Sequence, residues 1–294
     1  MNPAHHDGYV AFRIANQNIV VRAPKAWYAK DIEAFTKLYE RSSAPHDLSF
    51  DFLSNGNKQY LILNEQEELW HGESAPETVA AFEIQLYTQV IQNIFPDFLS
   101  LHAGCVATQG EAWMFAGISG AGKSSLTTAA LLSGADYMTD EFSLLDTQGN
   151  IHPMPRPMQW DEPEHPAFPH HTMLERGRFE RYFFTFPDYS GQAKQLQLWL
   201  PTHVEHQALP LTRLVLPQYN AAAPAAQLQP VRRSEALMML AQHFHQNILP
   251  SERIKQLNQR IPQDVMAYRL NFSDVHQAWA SLLNATPNTA VGSA

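Results

Sequence analysis

The strongest chemical signal in this 294-residue chain lies in eight consecutive residues. Gly117-Ile-Ser-Gly-Ala-Gly122-Lys123-Ser124 satisfies the spacing G-x-x-x-x-G-K-[ST] at every fixed position. Each part has a physical reason. Gly117, Gly120 and Gly122, with the small Ser119 and Ala121 between them, let the backbone curl until successive N–H groups point at one centre. The positive end of a following helix reinforces that anion cradle. Lys123 can reach the β- and γ-phosphates of a nucleotide, and the Ser124 hydroxyl, followed by Ser125, can ligate Mg²⁺. The expected cofactors are therefore ATP and Mg²⁺. A chance match is the bland alternative, and the context argues against it, because a strand-like run precedes the loop and a helix-like run follows.

Phosphoryl transfer also needs a carboxylate to hold the metal or to deprotonate the nucleophile. Asp140 and Glu141 stand sixteen residues beyond Ser124, after one helix and a short strand. That layout places them at a strand end beside the loop, the ligand-facing end in a parallel α/β sheet; an exposed acidic turn is the alternative. His102, fifteen residues before Gly117, comes near the loop if FLSLHAGCVA and EAWMFAG pair as a hairpin. It could then hydrogen-bond a carboxylate or phosphate. From sequence alone, a satisfied core histidine is the slightly favoured reading.

The surrounding elements read as follows. YVAFRIA and NIVVRA are strands with a turn at Asn16-Gln17, residues 28–41 look helical, and LSFDF and YLILN are strands divided by a turn at 54–57. Ser74-Ala-Pro-Glu77 is a capping box opening a helix whose apolar stripe includes Val79, Phe82, Leu86, Val90, Ile91 and Ile94, and Pro96 ends it. Residues 1–95 thus read as a small α+β domain and 96–294 as an α/β domain. Between 150 and 230 the proline-rich chain predicts loops and short strands. SEALMMLAQHFHQNI (234–248) predicts one helix, VMAYRLNF a strand, and SDVHQAWASLL a last helix capped by Ser273, with a frayed tail from Thr286.

Composition bounds the function. Hydrophobic residues make up 45% and charged residues 17%, with a formal net charge of −9 and a pI near 5.8. An acidic surface argues against nucleic acid or an anionic membrane as partner. Cys105 is the sole cysteine, so no internal disulfide forms. The start lacks a basic region followed by an apolar core, and no apolar run approaches about 18 residues, so a soluble cytoplasmic protein is the expectation.

LHAG…GISGAGKSS…DYMTDEF resembles the HPr kinase/phosphorylase superfamily, specifically its HPr-kinase-related branch, and is similar to lasso-peptide kinases. The resemblance covers about residues 98–160 and weakens beyond. It implies a P-loop kinase domain of the HPr kinase/phosphoenolpyruvate carboxykinase type. It makes His102 the catalytic-site histidine, Lys123 and Ser124 the phosphate and Mg²⁺ ligands, and Asp140 and Glu141 the acidic pair. Asp140 is assigned as base and Glu141 as metal ligand, with the reverse left open. The chain departs from HPr kinases proper in ending its loop GKSS, in having Glu as second acid, and in lacking their second glycine-containing signature. HPr itself is therefore not the expected acceptor. Arg156 is a candidate phosphate or substrate contact by the same resemblance, a solvated Pro-flanked arginine being the bland alternative.

The function implied is Mg-ATP-dependent transfer to a hydroxyl. The acceptor is first a Ser or Thr of a protein or ribosomal peptide, second a small-molecule alcohol. A nucleotide-dependent switch without transfer is the rival class, and the resemblance permits a homo-oligomer without demanding one. The remaining polar groups read blandly. His203/His206 and His165/His170/His171 sit in loop-like sequence unsuited to a rigid metal site. His243 and His245, two apart on a helix, would diverge as surface or packing residues. Arg178, Arg181, Arg232 and Arg233 could supply charge to a γ-phosphate, but most of them read as solvated.

Overall fold

The structure is a computed structural model and describes residues 8–54, 60–160, 164–165, 167–187 and 190–285, side chains at 28 and 29 excepted. Strands β1 (Gly8–Ile14) and β2 (Gln17–Ala23) turn at Ala15, which adopts φ 51°. Helices α1 (Lys25–Trp27) and α2 (Glu33–Thr36) flank a π-helical turn at Tyr28–Ile32, so the helix expected over 28–41 closes at Thr36. Strands β3 (Leu48–Ser54), β4 (Tyr60–Asn64) and β5 (Glu67–Gly72) follow; the turn expected between the first two lies, beyond Ser54, outside the described residues. Helix α3 (Ala75–Asn93) starts where the capping box requires, with the Glu77 N–H donating to Ser74 Oγ at 3.3 Å. The Glu77 carboxylate reaches one residue further back, accepting from the Glu73 N–H at 3.1 Å.

The chain continues through β6 (Leu99–Thr108), β7 (Glu111–Ala116), α4 (Lys123–Leu132), β8 (Asp136–Thr139), β9 (Phe142–Leu145), β10 (Asn150–His152) and α5 (His170–Glu175). Next come β11 (Phe179–Pro187), β12 (Ala193–Pro201), β13 (Leu209–Tyr219), β14 (Gln227–Pro230), α6 (Arg233–Leu240), α7 (Pro250–Arg260), β15 (Met266–Phe272) and α8 (Val275–Leu283). The proline-rich stretch holds longer strands than expected, with nine residues each in β11 and β12 and eleven in β13. Pro187 and Pro201 sit at strand ends and Pro210 second in its strand, where a missing N–H costs a ladder least. Helix α8 is capped by Asp274, whose carboxylate accepts from the His276 and Gln277 N–H groups. Ser273, the expected cap, instead donates to the Ala223 carbonyl at 2.7 Å.

The chain packs as two compact units. One comprises Met1–Phe95, Arg156–Pro163 and Phe179–Thr202; the other comprises Pro96–Pro155, Glu164–Arg178 and His203–Ala294. The expected partition into continuous halves therefore misses two later stretches that join the first unit. Long-range contacts place them there: Phe184 meets Phe35 edge-on with centroids 5.7 Å apart, and the Tyr182 hydroxyl donates to Asp31. The first unit carries the sheet β1-β2-β3-β4-β5, with only β2 and β3 parallel, and the separate β11-β12 ribbon. Phe50 and Phe52 of β3 bury their rings against Phe82 of α3.

The second unit is built on the sheet β10-β9-β6-β7-β13-β15-β14, with β8 also on β6. Strand β10 pairs with both β9 and β13, so β10, β9, β6, β7 and β13 close on themselves. The parallel pairs are β7–β13 and β13–β15; the other pairs are antiparallel. The sheet is therefore mixed. Strand β8 lies antiparallel on β6, which is itself antiparallel to β7, so β8 runs in the same sense as β7 without pairing with it, and the acids follow its end. Its core joins alternate residues of β6 and β7 to Leu237, Leu240, Leu257 and Ile261 of α6 and α7. Among the described residues, no helix is long and apolar enough to cross a membrane.

Candidate functional site

The 117–122 loop follows β7 directly and α4 begins at Lys123. Gly120 and Gly122 adopt φ of 77° and 96°, the left-handed region in which a Cβ is strained. Gly122 is constrained twice, since a Cβ there would lie 2.6 Å from the Phe272 ring. The Tyr219 N–H donates to the Ala121 carbonyl at 3.1 Å and ties the loop to the end of β13. Ile118, Ser119 and Gly120 face solvent, while Ser124 and Ser125 are half-buried. The Lys123 ammonium is turned onto its own loop, donating to the Gly117 carbonyl at 2.9 Å and the Ile118 carbonyl at 3.2 Å. Burial lowers its pKa, and the negative charges of Asp140 and Glu141 oppose that shift.

The acids occupy the short link between β8 and β9. Thr139 shapes it, its Oγ1 accepting from the Glu141 N–H at 3.2 Å and the Phe142 N–H at 2.9 Å. The Ala103 N–H donates to the Glu141 carbonyl at 3.1 Å, which fastens the link to β6. β6 and β7 form the conditional hairpin, with Ala103 opposite Ala116, and His102 Nδ1 lies 3.7 Å from Glu141 Oε1. A Cβ at Gly104 would lie 2.7 Å from Thr127 Oγ1 and 3.5 Å from Asp140 Oδ1. The Thr127 contact is why glycine stands two residues after His102: β6 passes too close to α4 for a side chain, while Asp140 lies at ordinary contact distance. Lys123, Asp140, Glu141 and His102 therefore assemble around one end of β6 and β7.

Two histidines join them against expectation. Helix α6 ends at Leu240, and residues 243–246 run extended beside β6. The His102 N–H donates to the His243 carbonyl at 2.6 Å and the His245 N–H to the Ser100 carbonyl at 3.0 Å. With Leu101 opposite Phe244, the pairing puts Ser100, His102, His243 and His245 on one face. His245 is held neutral, its pKa pushed down to about 4 by burial and by His102, against the pull of Glu141. Burial, then Lys123 and His102, also lower that of His243. A helical reading of 234–248 hides this face; a change of period at Gln242 was the one available signal.

The other flagged residues do different work. His165 Nδ1 accepts from the Ala167 N–H at 3.1 Å, so the ring donates from Nε2 to Ser125 Oγ at 2.8 Å and holds it. Arg156 pairs with Glu83 at 3.2 Å and lies over the Tyr87 ring, all within the first unit. Arg178 donates to the Leu131 carbonyl in the last turn of α4 and to the Ala135 carbonyl beyond it, Arg233 to the Ile261 and Pro262 carbonyls after α7, and Arg181 lies over Phe183. Arg178 and Arg233 are fastenings of the fold and not solvated charges. Among the described residues, the only group of three side chains spaced to hold a metal is His102, Glu141 and His245. No known family model matches the chain, and no curated protein matches it.

Proposed function

We propose that the second unit is a P-loop phosphotransferase of the HPr-kinase-like type, moving the γ-phosphoryl group of Mg-ATP to a Ser or Thr hydroxyl of a protein or ribosomal peptide. The observation that carries the reading is the left-handed glycine loop that follows β7 and ends on Lys123, at the same end of the β6-β7 hairpin as the link bearing Asp140 and Glu141. The loop N–H groups from Ser119 to Ser125 hold the β- and γ-phosphates. On nucleotide entry Lys123 exchanges the Gly117 and Ile118 carbonyls for phosphate oxygens. Ser124, Asp140 and Glu141 form an all-oxygen donor set of the kind that suits Mg²⁺. Mg²⁺, when bound, neutralises charge on the β- and γ-phosphate oxygens. Asp140 takes the proton of the acceptor hydroxyl as that oxygen bonds to the γ-phosphorus. The bond from the γ-phosphorus to the bridging oxygen breaks and ADP leaves. His102 holds Glu141 in place from the β6 side.

The test is incubation with γ-labelled ATP and Mg²⁺ against Ser-bearing peptides, extract protein and extract metabolites. Label should reach the peptide or protein fraction. Lys123→Ala should abolish it, and Asp140→Asn should slow it by about 10²–10⁴-fold while nucleotide still binds. Label in the metabolite fraction would make the protein a small-molecule alcohol kinase. Tight ATP binding without transfer would make it a nucleotide switch. Transfer by Asp140→Asn at the wild-type rate would refute the assigned base.

A further inference from the structure

We propose that Tyr219 and the turn after it form a nucleobase subsite, with the Tyr219 ring as the surface on which the base stacks. This subsite rests on the reading of 117–124 as a nucleotide loop, and its ligand is the aromatic ring at the far end of that nucleotide. Sheet order gives the direction. Strand β7 leads into the loop, with β6 on one side of it and β13 on the other. The link bearing the acids is fastened to β6 by the bond from the Ala103 N–H to the Glu141 carbonyl, so the γ-phosphate end points that way. The base, at the opposite end of an elongated ligand, then falls on the β13 side.

The end of β13 is built beside the loop. With Val215 opposite Phe115, β13 overruns β7, which stops at Ala116, and continues along the loop. A Cβ at Gly117 would lie 3.5 Å from the Pro217 carbonyl oxygen, and the Tyr219 N–H donates to the Ala121 carbonyl at 3.1 Å. Tyr219 is nevertheless 53% exposed, so much of its side chain is left in water. An aromatic ring held next to an anion cradle offers a π-face, and every base has one to match.

The ring is held in place without a ligand. Tyr219 stands opposite Phe272 in the β13-β15 register, and the two rings meet edge to face with centroids 5.9 Å apart. Phe272 is buried and lies against Gly122, the last glycine of the loop, so ring, ring and loop form one packed row. The backbone beyond is stitched down. The Asn220 N–H donates to the Phe272 carbonyl at 2.8 Å, the Ala222 N–H to Asn220 Oδ1 at 3.0 Å, and the Ser273 hydroxyl to the Ala223 carbonyl at 2.7 Å. The exposed residues of this turn, Ala221 and Ala222, carry no side chain long enough to cover a neighbouring ring. Such a surface is ordered in advance, which lowers the entropic cost of seating a flat ligand. Stacking is tolerant of base identity, so Tyr219 supplies affinity to adenine and guanine nucleotides alike.

The test is calorimetric titration of the full chain in Mg²⁺ with ADP, GDP and inorganic tripolyphosphate. Tyr219→Ala should weaken ADP and GDP by a similar factor, about 5–150-fold, and leave tripolyphosphate, which has no base, unchanged. Tyr219→Trp should keep the affinity for both nucleotides. Retained tripolyphosphate binding also reports that the loop is still folded. If Tyr219→Ala fails to fold, Tyr219→Leu, which keeps bulk against Phe272 but has no π-face, decides the matter. Unchanged ADP affinity in the variant is the result for a tyrosine that only shields Phe272. Loss of tripolyphosphate in step with ADP is the result for one that only shapes the loop. Either would overturn the subsite and leave the phosphate loop standing. A wild type that binds none of the three ligands would overturn the nucleotide reading itself, and the subsite with it.

Discussion

The 117–124 loop and the 243–246 segment lie at the same end of the β6-β7 hairpin and are specified in opposite ways. The loop is written locally. Its glycines permit the left-handed turns, its lysine opens α4, and any chain carrying those eight residues between a strand and a helix has what it needs. The segment is written by its neighbour. Taken alone, SEALMMLAQHFHQNI has the apolar spacing of a helix. The bonds from His102, His245 and Ser100 to the facing strand outweigh that tendency, because His, Phe and Asn are indifferent helix formers. Arg253 closes the far side, donating to the Ala241 and Ile248 carbonyls and lying over the Phe244 ring. A site that joins one local motif to one tertiary pairing should therefore be breakable in two separate ways.

The largest effect should come from the loop. Gly122→Ala forces a Cβ into φ 96° and against Phe272, and should cost about 2–4 kcal/mol of stability in chemical denaturation. Nucleotide affinity should fall with it while the 243–246 pairing persists. Gln246→Ala comes next. It leaves the Ser100 N–H and the Phe98 carbonyl without their side-chain partner and should cost about 1–3 kcal/mol. Nucleotide affinity should persist; its loss together with the 243–246 pairing would dissolve the comparison. The smallest effect concerns another locally written turn. Asp146 is opposed by its own burial, yet hydrogen bonds from Asn150, His152 and Gln148 hold its pKa below the ordinary carboxylate value. A lowered folded pKa means that stability is present above the unfolded value and is lost as pH falls through the folded one. Acid unfolding curves of Asp146→Asn should therefore be flatter on the acid limb than those of the wild type.

Legibility followed the range of the interactions. Ser74 and Glu77 announced α3 because both partners sit within one helical turn. Ser273 was read as a cap because it precedes an apolar helix, but the Ala223 carbonyl, fifty residues away, took its hydroxyl and left the role to Asp274. Strand β5 was missed because its first residues are exposed glutamates, and α7 because only Leu257 and Arg260 of its eleven residues are buried. The β11-β12 ribbon could not be assigned to the first unit, since Phe35 and Asp31 stand about 150 residues from their partners.

The sequence by itself determined the glycine loop, the lysine and serine that close it, the paired acids and the histidine upstream. All of these depend on backbone freedom and side-chain chemistry within short spans. Only the tertiary structure decided that the acids follow a strand paired with β6, that Gly104 is bare because Thr127 presses on it, and that His245 stands beside His102 and Glu141. Those facts depend on which partners β6 meets, from Thr127 and Thr139 a few tens of residues on to Phe244 well over a hundred, beyond what a local pattern can record.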